Sequence, residues 1–347
     1  MTRRALATRL LAAALLAAGA GFAWLAVDVP HRALAQDQGE TVIALPLHSF
    51  AGVAAGGRVQ GLVWHGGIEM QSAVDTFGGL SGLGFTGPDG RLAMVTDRGN
   101  FVSGQLIYDE RHRPLSLVGV TIEPIQNSKG AELPRAFARD AEALAVIERG
   151  GVPAAVRVGF ENLTRVADFE LVDGRPTGPA REVAIPAWLT GTRTNESLEA
   201  VCIAPAASPI AGSTLLLTEG VVDDDGEHSA WLLGHNDKGP LSYLSSKGTD
   251  PSDCAFLPNG DLLVLERGIA FLTFTMTLKR VPAAQVVPGA RMRGEVLLTA
   301  SGPDVDNMEA VAVHSGPDGT TRITLVSDNN FNEWERSLLL EFSLPPQ

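Results

Sequence analysis

Short hydrophobic runs that end in an acid recur along this chain at long, regular intervals. Each copy consists of an acid or small polar residue, a short apolar run, a turn, and a second apolar run that ends in an acid. The copies start at Ser81, Glu142, Glu199, Asp253 and Glu309, so successive starts are 61, 57, 54 and 56 residues apart. Short apolar runs are typical of buried β-strands, and no helical period separates them. A period this long, built from strands, predicts the four-stranded blades of a β-propeller.

The turns and the two chain ends complete this prediction. Three of the turns contain the Gly, Pro, Asn and Asp residues that favour β-hairpins: 87–90, 258–261 and 316–319. The last copy has only three strand-like runs, and the N-terminal segments 41–47 and 58–70 can supply its missing fourth strand. Strands from both chain ends would then close the ring. We predict an all-β propeller with five repeats, and five or six blades, because residues 41–75 can contain a sixth.

The first 35 residues have the pattern of a secretory signal peptide. Arg3, Arg4 and Arg9 precede an uncharged apolar run over 10–27, and Ala33-Leu34-Ala35 then places small residues where a signal peptidase reads. The apolar run is also at the short end of what spans a bilayer. We therefore expect a signal peptide over 1–35 and a mature propeller domain over 36–347, located in the periplasm or secreted. The alternative is a protein anchored to the membrane by its N-terminus.

The charge balance excludes two classes of partner. Residues 1–35 contain four of the 27 basic and one of the 40 acidic residues, so the mature chain has 23 basic and 39 acidic residues and a net charge of −16. Such a chain repels nucleic acid and anionic membranes. We expect no nucleic-acid partner, no integral membrane partner and a monomeric protein.

The two cysteines leave two interpretations open. Cys202 and Cys254 are the only ones in the chain, so they form no disulfide framework. They can pair in an oxidising compartment, or they can be small buried residues on separate strands. We expect the second.

The recurring acids should meet at one end of the blades. An inner strand begins at the same end at which its antiparallel neighbour stops. Ser81 is the one departure, where the other copies have an acid. Four acids begin inner strands and five end second strands: Glu142, Glu199, Asp253 and Glu309, and Asp97, Glu161, Glu219, Glu266 and Asp328. The sequence therefore predicts nine carboxylates around one mouth of the central channel.

Like charges in such a ring raise one another's pKa, and a bound divalent cation relieves their repulsion. Ca²⁺ fits best because it accepts many oxygen ligands in loose geometry, whereas no HExxH or CxxC spacing indicates zinc. We expect Ca²⁺ as the cofactor. The candidate ligands are Glu142, Glu199, Asp253, Glu266, Glu309 and Asp328, and the candidate catalytic residues are Asp97, Glu161 and Glu219.

Three further residues are candidates for substrate binding. Arg98 and Arg267 directly follow Asp97 and Glu266, so each can clamp an anionic substrate or hold the acid in a salt bridge. Asn329 follows Asp328 and can offer a neutral oxygen or cap a turn.

Several phrases in this order resemble the phytase-like family (esterase-like activity of phytase). They are GGLSGL at 78–83, TDRG at 96–99, DAEAL at 140–144, GFE at 159–161, ESLEA at 196–200, LVLERG at 263–268, DNMEA at 306–310 and SDNNFN at 327–332. The resemblance implies a β-propeller, export, and hydrolysis of phosphate esters or other esters. The β-propeller phytases bind several Ca²⁺ ions at an acidic channel mouth, and the acidic ring predicted here is similar in kind.

Three functions follow from these observations. The first is a metal-dependent hydrolase that acts on a small anionic ester. The second is a lactonase-like propeller enzyme, in which the arginines would be structural. The third is a non-catalytic binding protein that calcium stabilises. Whether the chain is an enzyme stays open, because a fold alone does not establish an activity.

Overall fold

The computed structural model describes residues 41–192, 194, 196–234 and 238–346. The predictions for residues 1–35 lie outside this part of the chain. Within it, no helix is long and apolar enough to cross a membrane. The first strands of the described part are β1 (Val42–Leu47), β2 (Ser49–Phe50), β3 (Val53–Ala54), β4 (Arg58–Val59) and β5 (Leu62–Ser72).

Blades 1 and 2 are four-stranded antiparallel sheets with strands in chain order. A short helix, α1 (Ala136–Arg139), connects them. Blade 1 consists of β6 (Leu80–Phe85), β7 (Arg91–Thr96), β8 (Asn100–Tyr108) and β9 (Pro114–Pro124). Blade 2 consists of β10 (Ala141–Arg149), β11 (Val152–Phe160), β12 (Arg165–Val172) and β13 (Arg175–Val183).

Blades 3 and 4 repeat this arrangement after α2 (Ala187–Thr190). Blade 3 consists of β14 (Leu198–Ile203), β15 (Thr214–Val222), β16 (His228–Leu233) and β17 (Gly239–Leu244). Blade 4 begins with β18 (Asp250–Phe256), β19 (Leu262–Ala270) and β20 (Thr273–Val281), and a 3-10 helix (Ala283–Gln285) follows. The next strand, β21 (Arg291–Arg293), pairs in parallel with β17, and β22 (Glu295–Ser301) completes blade 4.

Blade 5 joins the two ends of the chain. After a 3-10 helix (Gly302–Asp304) it contains β23 (Asn307–Ser315), β24 (Thr321–Asp328) and β25 (Ser337–Ser343). Strand β5 pairs antiparallel with β25 as the fourth strand, and β1 pairs with the outer side of β5. The predicted closure by strands from both ends is confirmed.

The inner strands form a closed ring of five. Each of β6, β10, β14, β18 and β23 packs against the next, and β23 packs against β6. Strands β1, β4 and β5 belong to the sheet of blade 5, and β2 and β3 pair only with each other. The described residues therefore form five blades and no sixth.

The repeat arises because middle strands are apolar on both faces. In β19, Leu262 and Val264 pack towards blade 3, whereas Leu263 and Leu265 pack towards blade 5, and all four are fully buried. Each interface between neighbouring blades is therefore a hydrophobic core of its own. The burial of apolar area in it stabilises the fold by roughly 25 cal/mol per Å². Five such cores hold the ring together.

A disulfide joins Cys202 on β14 to Cys254 on β18. The expectation of unpaired cysteines was therefore wrong. Both residues are buried in the core between blades 3 and 4, where the two inner strands are neighbours. The bond closes a separation of 52 residues, and cross-links over such loops stabilise a fold by roughly 4 kcal/mol through the unfolded chain.

Candidate active site

A β-bulge near the start of every inner strand sets the geometry of the site. The ladder to the second strand skips one residue in each blade: Ser81, Glu142, Glu199, Ser252 and Glu309. A bulged residue is left out of the ladder and its side chain is redirected. These five residues are therefore equivalent positions around the channel. We call the end of the propeller where they lie the mouth.

The ends of the second strands supply five more equivalent positions. In each blade, the residue before the bulge pairs with a residue of the second strand, and the ring position is the residue that directly follows this partner. Leu80 pairs with Thr96, so Asp97 is a ring position, and Ala141 pairs with Phe160, so Glu161 is another. Counted this way, the five positions are Asp97, Glu161, Glu219, Arg267 and Asp328. The ten ring positions thus contain seven carboxylates, two serines and one arginine.

Blade 4 differs from the sequence-based prediction by one residue at both positions. Ser252 is the bulged residue and Arg267 the second-strand residue, so Asp253 and Glu266 are each out of register. Because successive side chains in a strand point to opposite faces, the two acids do not face the channel as predicted. Neither acid therefore occupies a ring position, and their assignment as metal ligands stays a prediction.

Both displaced acids hold blades together. Asp253 accepts hydrogen bonds from the backbone N–H groups of Cys254 and Val311, both at 2.8 Å, and so links β18 to β23. Glu266 is fully buried, lies 3.0 Å from Lys279 Nζ and accepts hydrogen bonds from Tyr243 Oη at 2.5 Å and Thr249 Oγ1 at 2.8 Å. Both oxygens of each carboxylate are thus engaged by groups of the fold.

The other seven predicted acids do lie close together. An eighth carboxylate, Asp140, joins them from the residue before β10. We call this set the acidic cluster: Asp97, Asp140, Glu142, Glu161, Glu199, Glu219, Glu309 and Asp328. Carboxylate oxygens of Asp140, Glu142 and Glu161 lie within 4.8 Å of one another. Glu161 Oε1 also accepts a hydrogen bond of 2.6 Å from the backbone N–H of Ser197.

Burial and mutual repulsion keep the cluster hard to ionise. Burial raises the pKa of Asp97 to about 6, with Arg98 opposing the rise and Asp140 adding to it. Burial likewise raises the pKa of Glu161 to about 7 and that of Asp328 to about 7. The pKa of Glu199 lies well above its ordinary value, because Glu199 is buried beside other cluster acids and hydrogen-bonded to Glu161.

Arg267 is the counterion of the cluster. Its Nη2 lies 3.2 Å from Glu219 Oε1, its Nε 3.2 Å from Glu309 Oε2, and its Nη1 donates to Asn307 Oδ1 at 3.3 Å. Arg267 therefore forms salt bridges, but with Glu219 and Glu309 and not with the neighbouring Glu266 that the sequence suggested. Arg267 occupies the position at which every other blade has an acid.

Arg98 and Asn329 lie beside the acidic cluster and differ in the contacts that they make. Arg98 is exposed and its guanidinium lies 3.2 Å above the ring of Phe331, and it forms no ion pair within the described ranges. Asn329 Oδ1 accepts hydrogen bonds from the backbone N–H groups of Gly79 and Phe331, so it caps the turn after β24. A side chain at Gly79 would collide with Asp97, which explains glycine there.

Sequence reasoning missed Asp140, Asn162 and Asn307. Asn162 Nδ2 donates to Asp140, and Asn307 Nδ2 donates to Glu309 Oε1 at 2.6 Å. Asp140 and Asn307 each stand two residues before a ring glutamate, in the phrases DAE and DNME. That shared spacing was the signal that could have identified them.

Comparison with solved structures finds distant propellers. The chain is similar to a PQQ-bound aldose sugar dehydrogenase from Streptomyces coelicolor, with 13% identity, a TM-score of 0.41 and coverage of 80% of this chain and 97% of that one. Two glucose dehydrogenases show 12% and 15% identity and TM-scores of 0.44 and 0.41, each covering 76% of this chain and 96% of theirs. Similarity at this level says nothing about activity.

Comparison at the level of sequence gives a clearer result. No curated protein matches the chain. The family described as "Phytase-like: Esterase-like activity of phytase" matches residues 75–331, which include the whole acidic cluster. The chain belongs to the phytase-like family.

Proposed function

We propose that the acidic cluster hydrolyses a small anionic ester, either a phosphate ester or another ester, with the help of bound Ca²⁺. The observation that supports this most is the charge of the site. Among the described residues, eight carboxylates cluster at the mouth, and Arg267 is the arginine that forms ion pairs with them. Charges of one sign are seldom left so poorly compensated unless a cation or a reaction uses them.

The donor set fits calcium. Oxygens of Asp140, Glu142 and Glu161 already lie within 4.8 Å of one another, and none of the ten ring positions is His or Cys. Asp97 Oδ1 is buried and has no hydrogen-bond partner among the described residues. Ca²⁺ prefers such all-oxygen sites. We assign Asp140, Glu142 and Glu161 as its ligands; when bound, it would polarise the ester oxygen.

The remaining residues divide the other tasks. Asp97, with a pKa of about 6, is mostly ionised at neutral pH and can accept the proton of an attacking water. The exposed guanidinium of Arg98 next to it can bind the anionic group of the substrate. Arg267 holds Glu219 and Glu309 in place, which makes it a positioning residue.

The test is turnover of 4-nitrophenyl phosphate and 4-nitrophenyl acetate with calcium and with EDTA. We expect calcium-dependent turnover that Asp97→Asn abolishes. The matched control is Asp89→Asn, an aspartate in a hairpin at the opposite end of blade 1, which should retain full activity. Calcium that raises the melting temperature without any turnover on either ester would instead identify a binding protein.

A lactonase-like activity is the second candidate, because Arg267 is held in salt bridges as that function requires. A neutral cyclic ester needs no anion clamp. Arg98→Met should therefore raise KM for an aryl phosphate about tenfold or more, the loss of one charge-assisted hydrogen bond. The same variant should leave the hydrolysis of γ-butyrolactone unchanged if the enzyme is a lactonase.

A further inference from the structure

A cavity of about 470 Å³ lies between blades 1 and 2 on the mouth side, outside the acidic cluster. The segment from β9 to β10, including α1, forms one wall, and strands β11 to β13 form the other. Its apolar lining includes Leu133, Phe137, Phe160 and Leu163. The volume is within the range of small-molecule sites, which are roughly 300–1,000 Å³.

Arg165 gives this cavity a half-buried positive charge. Its guanidinium lies 3.7 Å above the ring of Phe160 and donates to the carbonyls of Leu163 and Ala138 at 3.1 and 2.6 Å. No carboxylate of the described residues lies within ion-pair distance of it, and burial lowers its pKa to about 10. Glu182, which also lines the cavity, attracts it only from further away.

Most of the hydrogen-bonding capacity of Arg165 is still available. A guanidinium has five N–H donors, and the two carbonyls use two of them. Buried charges in proteins are normally paired, because an unpaired one has lost its water without compensation. The half-buried guanidinium of Arg165 therefore has N–H donors with which it can bind an anionic ligand.

A second arginine lies in the lining of the same cavity. Arg135 is exposed, its guanidinium lies 5.7 Å from the ring of Phe137, and Phe137 is 46% exposed. Arg135 forms no ion pair within the part of the chain that the structure describes. Two aromatic rings and two unpaired guanidiniums thus line one space, and a planar apolar body with one negative group complements both features.

We propose that this cavity binds an aromatic organic anion, held by Arg165 and Arg135 through its charged group and by Phe137 and Phe160 through its ring. The cavity is adjacent to the acidic cluster. Helix α1 leads directly into Asp140, and Phe160 directly precedes Glu161, so the ligand would lie behind two members of the acidic cluster. The inference concerns binding alone and does not depend on the hydrolytic proposal.

The test is isothermal titration calorimetry with naphthalene-1-sulfonate, an aromatic anion that contains no ester. We expect saturable binding at one site. The neutral 1-naphthalenemethanol should bind about tenfold or more weakly, a difference of about 1.4 kcal/mol. Arg165→Met should weaken binding of the sulfonate by a similar factor, and Arg135→Met and Phe137→Ala should weaken it about threefold to tenfold.

Matched controls separate this site from general effects. Arg175→Met makes the same substitution at an exposed arginine at the opposite end of blade 2 and should bind like the wild type. Asp97→Asn should also bind like the wild type, so a failed hydrolase assay would not affect the result. If Arg165→Met does not fold, as judged by circular dichroism, Arg135→Met and Phe137→Ala decide. Equal affinity for the neutral compound, unchanged binding in these variants, or no saturable heat would overturn the proposal.

Discussion

The acidic cluster and the hairpins at the opposite end of the propeller place carboxylates in opposite environments. At the end away from the mouth, hairpin aspartates face arginines: Asp89 with Arg91, Asp109 with Arg113, and Asp318 with Arg322. Burial alone would raise the pKa of each aspartate, but hydrogen bonds from the arginines and nearby groups lower it. In the acidic cluster, burial raises the pKa, and Arg98 and Arg267 oppose that rise only in part. The fold can neutralise its acids, so their crowding at the mouth indicates a function.

The turns show the same contrast. The β12–β13 hairpin, away from the mouth, has Asp173 and Gly174 in the left-handed region, which suits those residues. At the mouth, the β19–β20 hairpin places Phe271 and Leu272 there, at φ 51° and 63°, and both side chains are fully exposed. Bulky residues in this conformation are strained. Strain and uncompensated charge are thus found at the same end.

Removal of Glu266 should produce the largest loss of stability. This acid lies near the mouth but, like the aspartates of the opposite end, it is paired with a basic residue. Glu266→Ala leaves Lys279 buried without its partner, and Tyr243 and Thr249 without their acceptor. Breaking a buried ion pair in this way costs about 3–5 kcal/mol. Urea denaturation should show that loss.

The matched control is Glu199→Gln, which changes a ring acid of blade 3. Its carboxyl group is already hard to ionise, so the neutral amide should leave the free energy of unfolding unchanged or raise it. Equal losses in the two variants would show that Glu266 belongs functionally with the acidic cluster.

The register of blade 4 marks the limit of what the sequence could predict. Alternating apolar runs, turn residues and the missing fourth strand were enough for the five blades and their closure. The predicted ring positions agree with the structure in blades that have an acid both at the bulge and at the end of the second strand, as blade 2 has with Glu142 and Glu161. In blade 4 an acid stands one residue from each position, and a period of fifty-odd residues cannot resolve a shift of one. Only the hydrogen-bond ladder shows that Ser252 and Arg267 face the channel.

The next largest effect should be a difference in pH dependence. The folded-state pKa of Glu161 is raised to about 7. Its contribution to stability is therefore fully present below its unfolded pKa and is lost as the pH rises through 7. The Glu161→Gln variant has no carboxyl group at this position, so it does not lose this contribution as the pH rises. In EDTA, the free energy of unfolding of the variant relative to that of the wild type should increase between pH 4.5 and 8, by up to about 3 kcal/mol.

Asp318→Asn should show the opposite sign. The pKa of Asp318 is lowered in the folded state, so its contribution is present above its unfolded pKa and is lost as the pH falls through the folded value. This variant should be less stable than the wild type at pH 7, and the difference should shrink in acid. Urea midpoints measured from about pH 4 to 8 check the Glu161 variant, and midpoints measured from about pH 4 down to 2 check the Asp318 variant, because its window lies below the ordinary pKa of 3.8. A constant difference from the wild type across either window would contradict the contrast between the two ends.

The smallest effect should come from the strained hairpin, and it has the sign of a gain. A two-residue hairpin loop with positive φ at both positions suits Asn-Gly. Because Phe271 and Leu272 are fully exposed, Phe271→Asn together with Leu272→Gly removes strain without removing contacts. We expect a stabilisation of about 1 kcal/mol. The mirror experiment, Asp173→Phe with Gly174→Leu, should destabilise by at least as much, because Gly174 also packs against Arg91. A stabilised hairpin that lowers aryl-ester turnover would show that the apolar tip serves the mouth; unchanged stability in both double variants would show that the two ends do not differ in turn strain.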